Sequence, residues 1–283
     1  MARRRSVAYH LVMTDGVVGI FDSGWGGLSV AAEVRSLLPG ERLLYVADHA
    51  FCPYGQRDPV EIRSRCRTLA AALVERGAKA VVVACNTASS LAIEEIRHAC
   101  AGVPVVGVVP AIKPAAQATT GGVIAVLATP RTAEGAYLAR LVREHAPGVR
   151  VIVVPAPGLV ELVETGETAG ARVDAFLRSL LASPLAAGAD QIVLGCTHYP
   201  FLRAAIARVV GPRVGIVDSG AAIARRLRHV LDETGALVTG DAGELRLTTT
   251  GEPARVSATA ALLLGQPAVV TAFAAAEVAV PGD

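Results

Sequence analysis

The sequence predicts an α/β protein made of two pseudo-symmetric domains, each a mainly parallel sheet flanked by helices, with the active site in the cleft between them. Three observations lead to this prediction. Short runs of β-branched residues alternate with longer segments rich in alanine, leucine and arginine. The short runs are apolar on both faces, which is typical of parallel strands covered by helices. The chain also resembles itself in two places.

The predicted strands follow one another at fairly regular distances. They cover residues 17–21, 43–47, 80–84, 103–109, 123–128, 150–155, 191–195, 213–218 and 245–250. Helical segments lie between them, for example residues 59–77 and 172–184. In such folds the loops after the carboxyl ends of the strands hold the functional site.

Two pairs of segments suggest a duplicated unit. "GVVGIFDSGWGG" at 16–27 resembles "GVIAVLATPRTAEG" at 122–135, which sets Ser23 opposite Thr129. "VVVACNTASS" at 81–90 resembles "IVLGCTHYPF" at 192–201. Each copy would end a strand on a cysteine, so we expect a repeated α/β architecture.

A third similarity predicts where the domains meet. "GIVDSG" at 215–220 repeats "GIFDSG" at 19–24, which suggests that the chain re-enters its first domain. We therefore expect domain one to comprise residues 17–111 and 218–265, and domain two residues 112–217. Residues 1–16 and 266–283 would be extensions.

Composition excludes several classes of protein. Net charge is +2, and the arginines are scattered among acids apart from "RRR" at 3–5, so nucleic acid and membrane surfaces are not expected partners. No run reaches the ~18 apolar residues of a membrane span. Five cysteines, an odd number, without a signal peptide or a C-x-x-C motif argue against disulfides and zinc. A cytoplasmic protein is the expectation.

Cys85 and Cys196 are the strongest candidates for chemistry. A single cysteine after a valine run is usually a core residue. Two at matching positions suggest instead one thiol on each wall of a cleft, suited to removing a proton from one face of a carbon and delivering one to the other. The start of a helix, where both are predicted to lie, would lower the thiol pKa. Polar donors follow each cysteine: Asn86, Thr87, Thr197 and His198.

Three further loops contain candidates. In "FDSGWGGLSV", Asp22 is placed to bind an ammonium group or to orient a thiol, or else to cap the next helix. In "DHAFCPYGQRDP", Tyr54 and Gly55 can offer a hydroxyl and a backbone N–H, or form a plain surface turn. Glu161 and Glu164 follow another strand; either can face solvent, and Glu164 is the minor candidate.

These motifs together resemble the glutamate racemases of the cofactor-independent aspartate/glutamate racemase superfamily. The similarity is carried in order by "GIFDSGWGGLSV", "PYG", "VVVACNTASS", "LATPRTAEGAY", "GLVELVETG", "LGCTHYPFL" and "LTTTGEP", over residues 17–265. The two cysteine motifs, 111 residues apart (196 − 85), are the specific part.

The resemblance implies interconversion of L- and D-glutamate by two bases, without pyridoxal phosphate or metal, to supply D-glutamate for peptidoglycan. It implies that Cys85 is the base toward D-glutamate, assisted by Asp22, and Cys196 the base toward L-glutamate, assisted by His198. The implied substrate contacts are Asp22, Ser23, Tyr54, Gly55, Asn86, Thr87, Thr197 and His198, with Thr132 and Glu164 nearby. The implied partner is a small molecule, and a homodimer is left open.

One departure and three alternatives remain. Trp25 stands where the family usually has a small aliphatic residue, so its ring would narrow the entrance or stack on a neighbour. The alternatives are a racemase for aspartate or another acidic amino acid, a cysteine-nucleophile amidotransferase or hydrolase, and a non-catalytic binding protein. Pyridoxal phosphate would need a lysine. Of the two lysines, Lys79 precedes a strand, away from its carboxyl end, and Lys113 lies in a linker. Neither position suits a lysine that binds this cofactor.

Overall fold

The structure is a computed structural model that describes residues 16–274. Extensions were expected at residues 1–16 and 266–283, and of these residues 1–15 and 275–283 lie outside the described residues.

Ten parallel strands form two sheets in the described part of the chain. The six-stranded sheet has the order β10-β9-β2-β1-β3-β4 and the four-stranded sheet the order β6-β5-β7-β8. The strands of the first sheet are β1 Val17–Asp22, β2 Leu43–Ala47, β3 Ala78–Val83, β4 Val105–Gly107, β9 Leu245–Thr249 and β10 Val270–Ala272. Those of the second are β5 Val123–Ala128, β6 Arg150–Pro155, β7 Gln191–Leu194 and β8 Gly215–Val217.

Helices connect the strands and cover both sheets. They are α1 Leu28–Leu37, α2 Pro59–Glu75, α3 Asn86–Ala99, α4 Ile112–Ala118, α5 Pro130–Glu134, α6 Ala136–His145, α7 Leu159–Glu164, α8 Ala171–Ala186, α9 Arg203–Val210, α10 Gly220–Glu233 and α11 Pro253–Leu264. Two 3-10 helices cover Tyr54–Gln56 and Tyr199–Leu202. No helix among residues 16–274 is both long and apolar enough to span a bilayer.

The two sheets repeat one topology. The order β2-β1-β3-β4 in the first is matched by β6-β5-β7-β8 in the second, so β1 corresponds to β5 and β3 to β7. The backbone repeats in detail: Ala84 N donates to Phe21 O at 2.8 Å, and Gly195 N donates to Leu127 O at 2.7 Å. The predicted fold class, two mainly parallel sheets flanked by helices, is confirmed. The repeat also places each cysteine after the corresponding central strand.

Apolar side chains fill both faces of each sheet. Four buried clusters result, two against each sheet, built mostly from valine, leucine, isoleucine and alanine. Phe201 and Leu263 pack against clusters of both sheets. These shared contacts join the two sheets.

Three strands differ most from the sequence prediction. β8 covers only Gly215–Val217 of the predicted 213–218. β4 covers only Val105–Gly107 of the predicted 103–109. β10 was not predicted, and it places Val270–Ala272 beside β9 in the sheet, so the sheet continues past residue 265. A three-residue edge strand has too few positions to show a periodicity. The domain boundaries at residues 111, 217 and 265 stay a prediction.

Candidate active site

The two thiols lie at the carboxyl ends of matched central strands. Cys85 follows β3 and is the N-cap residue of α3. Cys196 follows β7 and precedes a 3-10 helix that begins at Tyr199, so it too lies at a strand-to-helix turn. Both cysteines are buried, with 5% and 6% of their surface exposed. Each is shielded from bulk water and lies beside polar groups of the opposite sheet.

The surroundings of Cys85 favour the protonated form of its thiol. Burial raises the pKa of the Cys85 thiol well above its ordinary value, and the nearby Asp22 carboxylate raises it further. The N–H of Ala88 in the first turn of α3 lowers this pKa but does not outweigh burial. The predicted depression by the helix start is therefore wrong for Cys85, because desolvation of the thiolate is the larger effect. In this arrangement the Cys85 thiol favours its protonated form.

Asp22 is held between the two halves of the molecule. Its carboxylate, fully buried, accepts hydrogen bonds from Ser23 N and Gly27 N, both at 2.7 Å. Thr197 Oγ1, from the opposite sheet, lies 3.5 Å from Asp22 Oδ2. Burial raises the pKa of Asp22, while His198 and these donors act in the opposite direction. Asp22 thus braces the glycine turn before α1 and also faces Cys85, but the alternative that it caps α1 is wrong, because the N-cap residue is Gly27.

Cys196 has a different neighbour. His198 Nδ1 lies 3.6 Å from the Cys196 sulfur, and His198 Nε2 lies 2.6 Å from Glu164 Oε1. The short contact to a carboxylate requires a hydrogen on Nε2, because a carboxylate only accepts. Gly26 N, 3.2 Å from the same nitrogen, therefore cannot donate to it. A row of contacts runs from Glu164 through His198 to Cys196, and His198 Nδ1 faces the Cys196 sulfur.

Glu164 and His198 each favour the charged form of the other. Burial lowers the pKa of His198, but hydrogen bonds to Cys196 and Glu164 outweigh it and raise that pKa well above its usual value. Burial raises the pKa of Glu164, but hydrogen bonds from His198 and His49 outweigh it and lower that pKa to about 2. Glu164 is thus ionised and His198 favours its protonated form. The protonated ring can donate from Nδ1 to the Cys196 sulfur, 3.6 Å away.

Glu164 also joins the two sheets. Besides His198, its carboxylate accepts from Trp25 N at 2.6 Å, and His49 Nε2 lies 3.0 Å from its other oxygen. The side chain is 15% exposed. Glu161, one turn earlier on α7, lies on the surface and accepts from Gln56 Nε2 at 2.6 Å. Sequence reasoning makes Glu164 only a minor candidate and does not single out His49, because their contacts come from distant segments.

Trp25 is completely buried and helps to build this region. Its ring stacks on Tyr45, with centroids 5.8 Å apart, and meets the edge of His49 at 4.9 Å. Its indole N–H donates to Val256 O at 3.0 Å. Of the two expectations for this bulky residue, stacking on a neighbour is the one that the structure shows.

Donors from both sheets surround the thiols. Asn86 is 4% exposed, and its Nδ2 has no acceptor among the residues that the structure describes. Thr87 Oγ1 lies 3.1 Å from Thr129 Oγ1 and 3.5 Å from Thr132 Oγ1, so hydroxyls of both sheets meet here. A buried amide group without a partner is costly and typical of a ligand site. Asn86 therefore has a donor to offer a bound molecule.

Tyr54 and Gly55, which were predicted to contact substrate, each contact another residue of the protein. Tyr54 Oη donates to Asp48 Oδ2 at 2.6 Å, and Arg65 and Thr250 hold the same carboxylate. Gly55 packs so closely on Thr129 of the other sheet that a Cβ there would lie 3.0 Å from the threonine Cβ. Both residues border the cleft, and their contact with substrate stays a prediction.

The lysines lie away from the thiols. Lys79 forms a buried ion pair with Glu41 at 2.7 Å near the start of β3, opposite the end that carries Cys85. Lys113 is exposed on α4. Over residues 16–274, no group of three or more histidine, cysteine, aspartate or glutamate side chains is placed to hold a metal ion.

The close contact between Gly26 and His198 leads to a testable prediction. A Cβ at this position would lie 2.1 Å from His198 Nδ1, the atom that faces Cys196. We expect Gly26→Ala to displace His198 and to lower turnover about a hundredfold, since small misplacements at a reacting centre carry such costs. Thermal unfolding and steady-state kinetics check this.

Gly121→Ala is the matched control, because a Cβ there meets no atom closer than 3.5 Å. It should leave turnover unchanged. Normal turnover in Gly26→Ala would show that His198 has no fixed position at this contact.

The fold and the paired thiols define the class of protein. Residues 28–227 match the Asp/Glu/Hydantoin racemase family, so the chain belongs to that family and is an amino-acid racemase, an isomerase. It is 47% identical over 256 residues to a glutamate racemase of Stutzerimonas stutzeri, a match that covers 90% of this chain and 97% of the relative.

Solved structures agree with this assignment. A glutamate racemase from Bacillus anthracis superposes with a TM-score of 0.83 at 31% identity, covering 92% of this chain and 98% of the other. The Escherichia coli glutamate racemase, solved in complex with L-glutamate and the activator UDP-MurNAc-Ala, superposes with a TM-score of 0.80 at 34% identity, covering 92% and 98%.

Proposed function

We propose that this racemase interconverts L- and D-glutamate by a two-thiol mechanism. The observation that carries the proposal is the difference between the neighbours of two topologically matched thiols. Burial and Asp22 favour the protonated form of Cys85, whereas the Cys196 sulfur lies 3.6 Å from Nδ1 of His198, whose other ring nitrogen contacts Glu164. One base and one acid on opposite sides of a cleft are what inversion at a carbon requires.

We propose that the steps start from a thiolate at Cys196 and a thiol at Cys85. With L-glutamate bound, the Cys196 thiolate forms an S–H bond with the Cα hydrogen, the C–H bond breaks, and its electron pair moves toward the carboxylate. The Cys85 S–H bond then breaks, and its proton bonds to the opposite face of Cα to give D-glutamate. Cys85 ends as a thiolate near Asp22, and Cys196 as a thiol. The reverse reaction begins from that state.

The charge that develops on the substrate carboxylate must be met by fixed donors. Asn86 Nδ2 is buried and has no acceptor among the described residues, which suits it to this role. We propose that Ser23, Thr87 and Thr197, all buried beside the thiols, add hydroxyl or backbone donors. We propose that Asp22 meets the substrate ammonium, and that Tyr54, Gly55 and Thr132 complete the walls of the site.

Substrate entry requires the two halves to separate. The cavity beside Cys196 and Asn86 has a volume of about 10 Å³, room for about one water molecule. Direct contacts from Glu164 and His198 to Trp25 and Gly26 close the cleft on this side. Opening at these contacts would admit glutamate, and closure would exclude water during proton transfer. The proposed domains, residues 17–111 with 218–265 and residues 112–217, are the moving bodies.

The names of the relatives support the wider role. Glutamate racemases are the curated relatives and structural neighbours described above. We propose that the product is D-glutamate for peptidoglycan, made in the cytoplasm, and that no pyridoxal phosphate is needed. All five cysteines are free, as suits a reducing compartment. Homodimer formation remains a proposal for solution measurements.

The test is racemisation of purified protein with each enantiomer of glutamate and of aspartate, without added pyridoxal phosphate, followed by chiral chromatography. We expect conversion of both glutamate enantiomers and faster turnover than with aspartate. Preferential turnover of aspartate would assign the substrate to the shorter acid. Hydrolysis of an amide substrate without racemisation would favour a cysteine-nucleophile enzyme instead.

A further inference from the structure

His49 contacts the carboxylate that supports Cys196, although it belongs to the opposite sheet. It lies in the loop after β2, and its side chain is 9% exposed. One ring nitrogen, Nε2, lies 3.0 Å from Glu164 Oε2, and the other, Nδ1, lies 2.8 Å from Thr249 Oγ1. His49 is thus partly buried and held at both ends.

The hydrogen-bond directions follow from the partners. Glu164 is ionised and can only accept, so His49 Nε2 carries a hydrogen. Thr249 Oγ1 accepts from Gly251 N at 3.0 Å and can donate its own hydrogen to His49 Nδ1. The edge contact with Trp25 at 4.9 Å restricts the ring further. His49 therefore presents a fixed N–H to Glu164.

The two carboxylate oxygens of Glu164 have different hydrogen-bond partners. Oε1 accepts from His198 Nε2 and from Trp25 N, both at 2.6 Å, whereas Oε2 lies against His49. No other hydrogen-bond donor to Oε2 is found among the described residues. Without His49, the carboxylate can rotate about its last bond, and the short bond that orients His198 loses its fixed direction.

We propose that His49 is a positioning residue for proton transfer at Cys196, acting through Glu164 and His198. This inference rests on the proposed two-thiol racemisation of glutamate. The Cys85 side has no connection to His49 of this kind, because Cys85 is paired with Asp22. Loss of His49 should therefore slow one of the two proton transfers more than the other.

Rates alone cannot show whether the proton transfer at Cys196 or the one at Cys85 is slowed. The enantiomers have equal free energies in water, so a substitution must lower kcat/KM equally in both directions. Isotope effects separate the two steps, because the substrate Cα deuterium is removed by Cys196 from L-glutamate and by Cys85 from D-glutamate. The other transfer in each direction uses a proton that comes from the enzyme.

The experiment measures the deuterium isotope effect on kcat/KM with 2-deuterated L-glutamate and 2-deuterated D-glutamate. For His49→Ala we expect kcat/KM to fall about tenfold. The isotope effect should rise with L-glutamate, since its deprotonation becomes the slow step, and should fall with D-glutamate. His49→Gln keeps an N–H near the position of Nε2 and should restore wild-type values.

His229→Ala is the matched control, since His229 pairs with Glu233 at 3.2 Å on the exposed face of α10. It should change neither rate nor isotope effect. The inference is overturned if His49→Ala leaves both isotope effects unchanged, even with a slower rate, or if His49→Gln behaves like His49→Ala. Failure of the wild-type protein to racemise glutamate would instead remove the proposed function itself.

Discussion

Replacement of either Cys85 or Cys196 by serine is expected to lower glutamate racemisation in both directions by about 10³-fold. A serine hydroxyl is a much weaker acid than a thiol, so it neither accepts the Cα proton as an anion nor returns one readily. Because the reaction passes through both side chains in each direction, either substitution blocks the whole conversion. Chiral chromatography of reactions started from each enantiomer measures the loss.

Cys100→Ser is the control, because Cys100 is equally buried but lies at the far end of α3. It should retain activity if the protein folds, which circular dichroism can verify for all three variants. Full activity in Cys85→Ser or in Cys196→Ser would contradict the two-thiol account, since a single thiol would then suffice.

Glu164→Gln is expected to have the next largest effect, about a hundredfold loss of kcat/KM near neutral pH. In the wild-type protein, Glu164 raises the pKa of His198, so His198 stays protonated to higher pH. A neutral glutamine removes part of this support, and the His198 pKa falls. The protonated form is then lost at lower pH, so the alkaline limb of the pH profile should move toward lower pH.

Glu161→Gln provides the comparison on the same helix, because the only hydrogen bond of the Glu161 side chain within residues 16–274 is to the exposed Gln56. Its pH profile should match the wild type. An unchanged alkaline limb in Glu164→Gln would show that His198 protonation does not support Cys196. A limb shifted to higher pH would contradict the direction of the electrostatic argument.

The fold was predictable because its signals are local and repeated. Apolar runs before Cys85 and Cys196 indicated buried strands, and the similarity of their flanks indicated a repeat. The structure gives both halves the same strand order. By contrast, the strand at Val270–Ala272 is short and lies at a sheet edge, so its position depends on pairing with β9 rather than on its own sequence.

The candidate site was predictable only in part. Residues within the two cysteine motifs, such as Asn86 and His198, stand beside the thiols in the sequence and in the structure. The roles of His49 and Glu164 depend on a contact between residues 115 apart, which one sequence does not reveal. The Cys85 pKa was predicted in the wrong direction, because helix geometry is local but burial is set by the whole fold.

The most direct test of the two-thiol account is the position of deuterium during the first few per cent of conversion in D₂O. Starting from L-glutamate, the account predicts D-glutamate that carries solvent deuterium at Cα, while the remaining L-glutamate stays unlabelled. The deuterium comes from Cys85, whereas the abstracted proton stays on Cys196. D-glutamate that retains the original Cα hydrogen would contradict the account, since a single group would then have moved that proton from one face to the other.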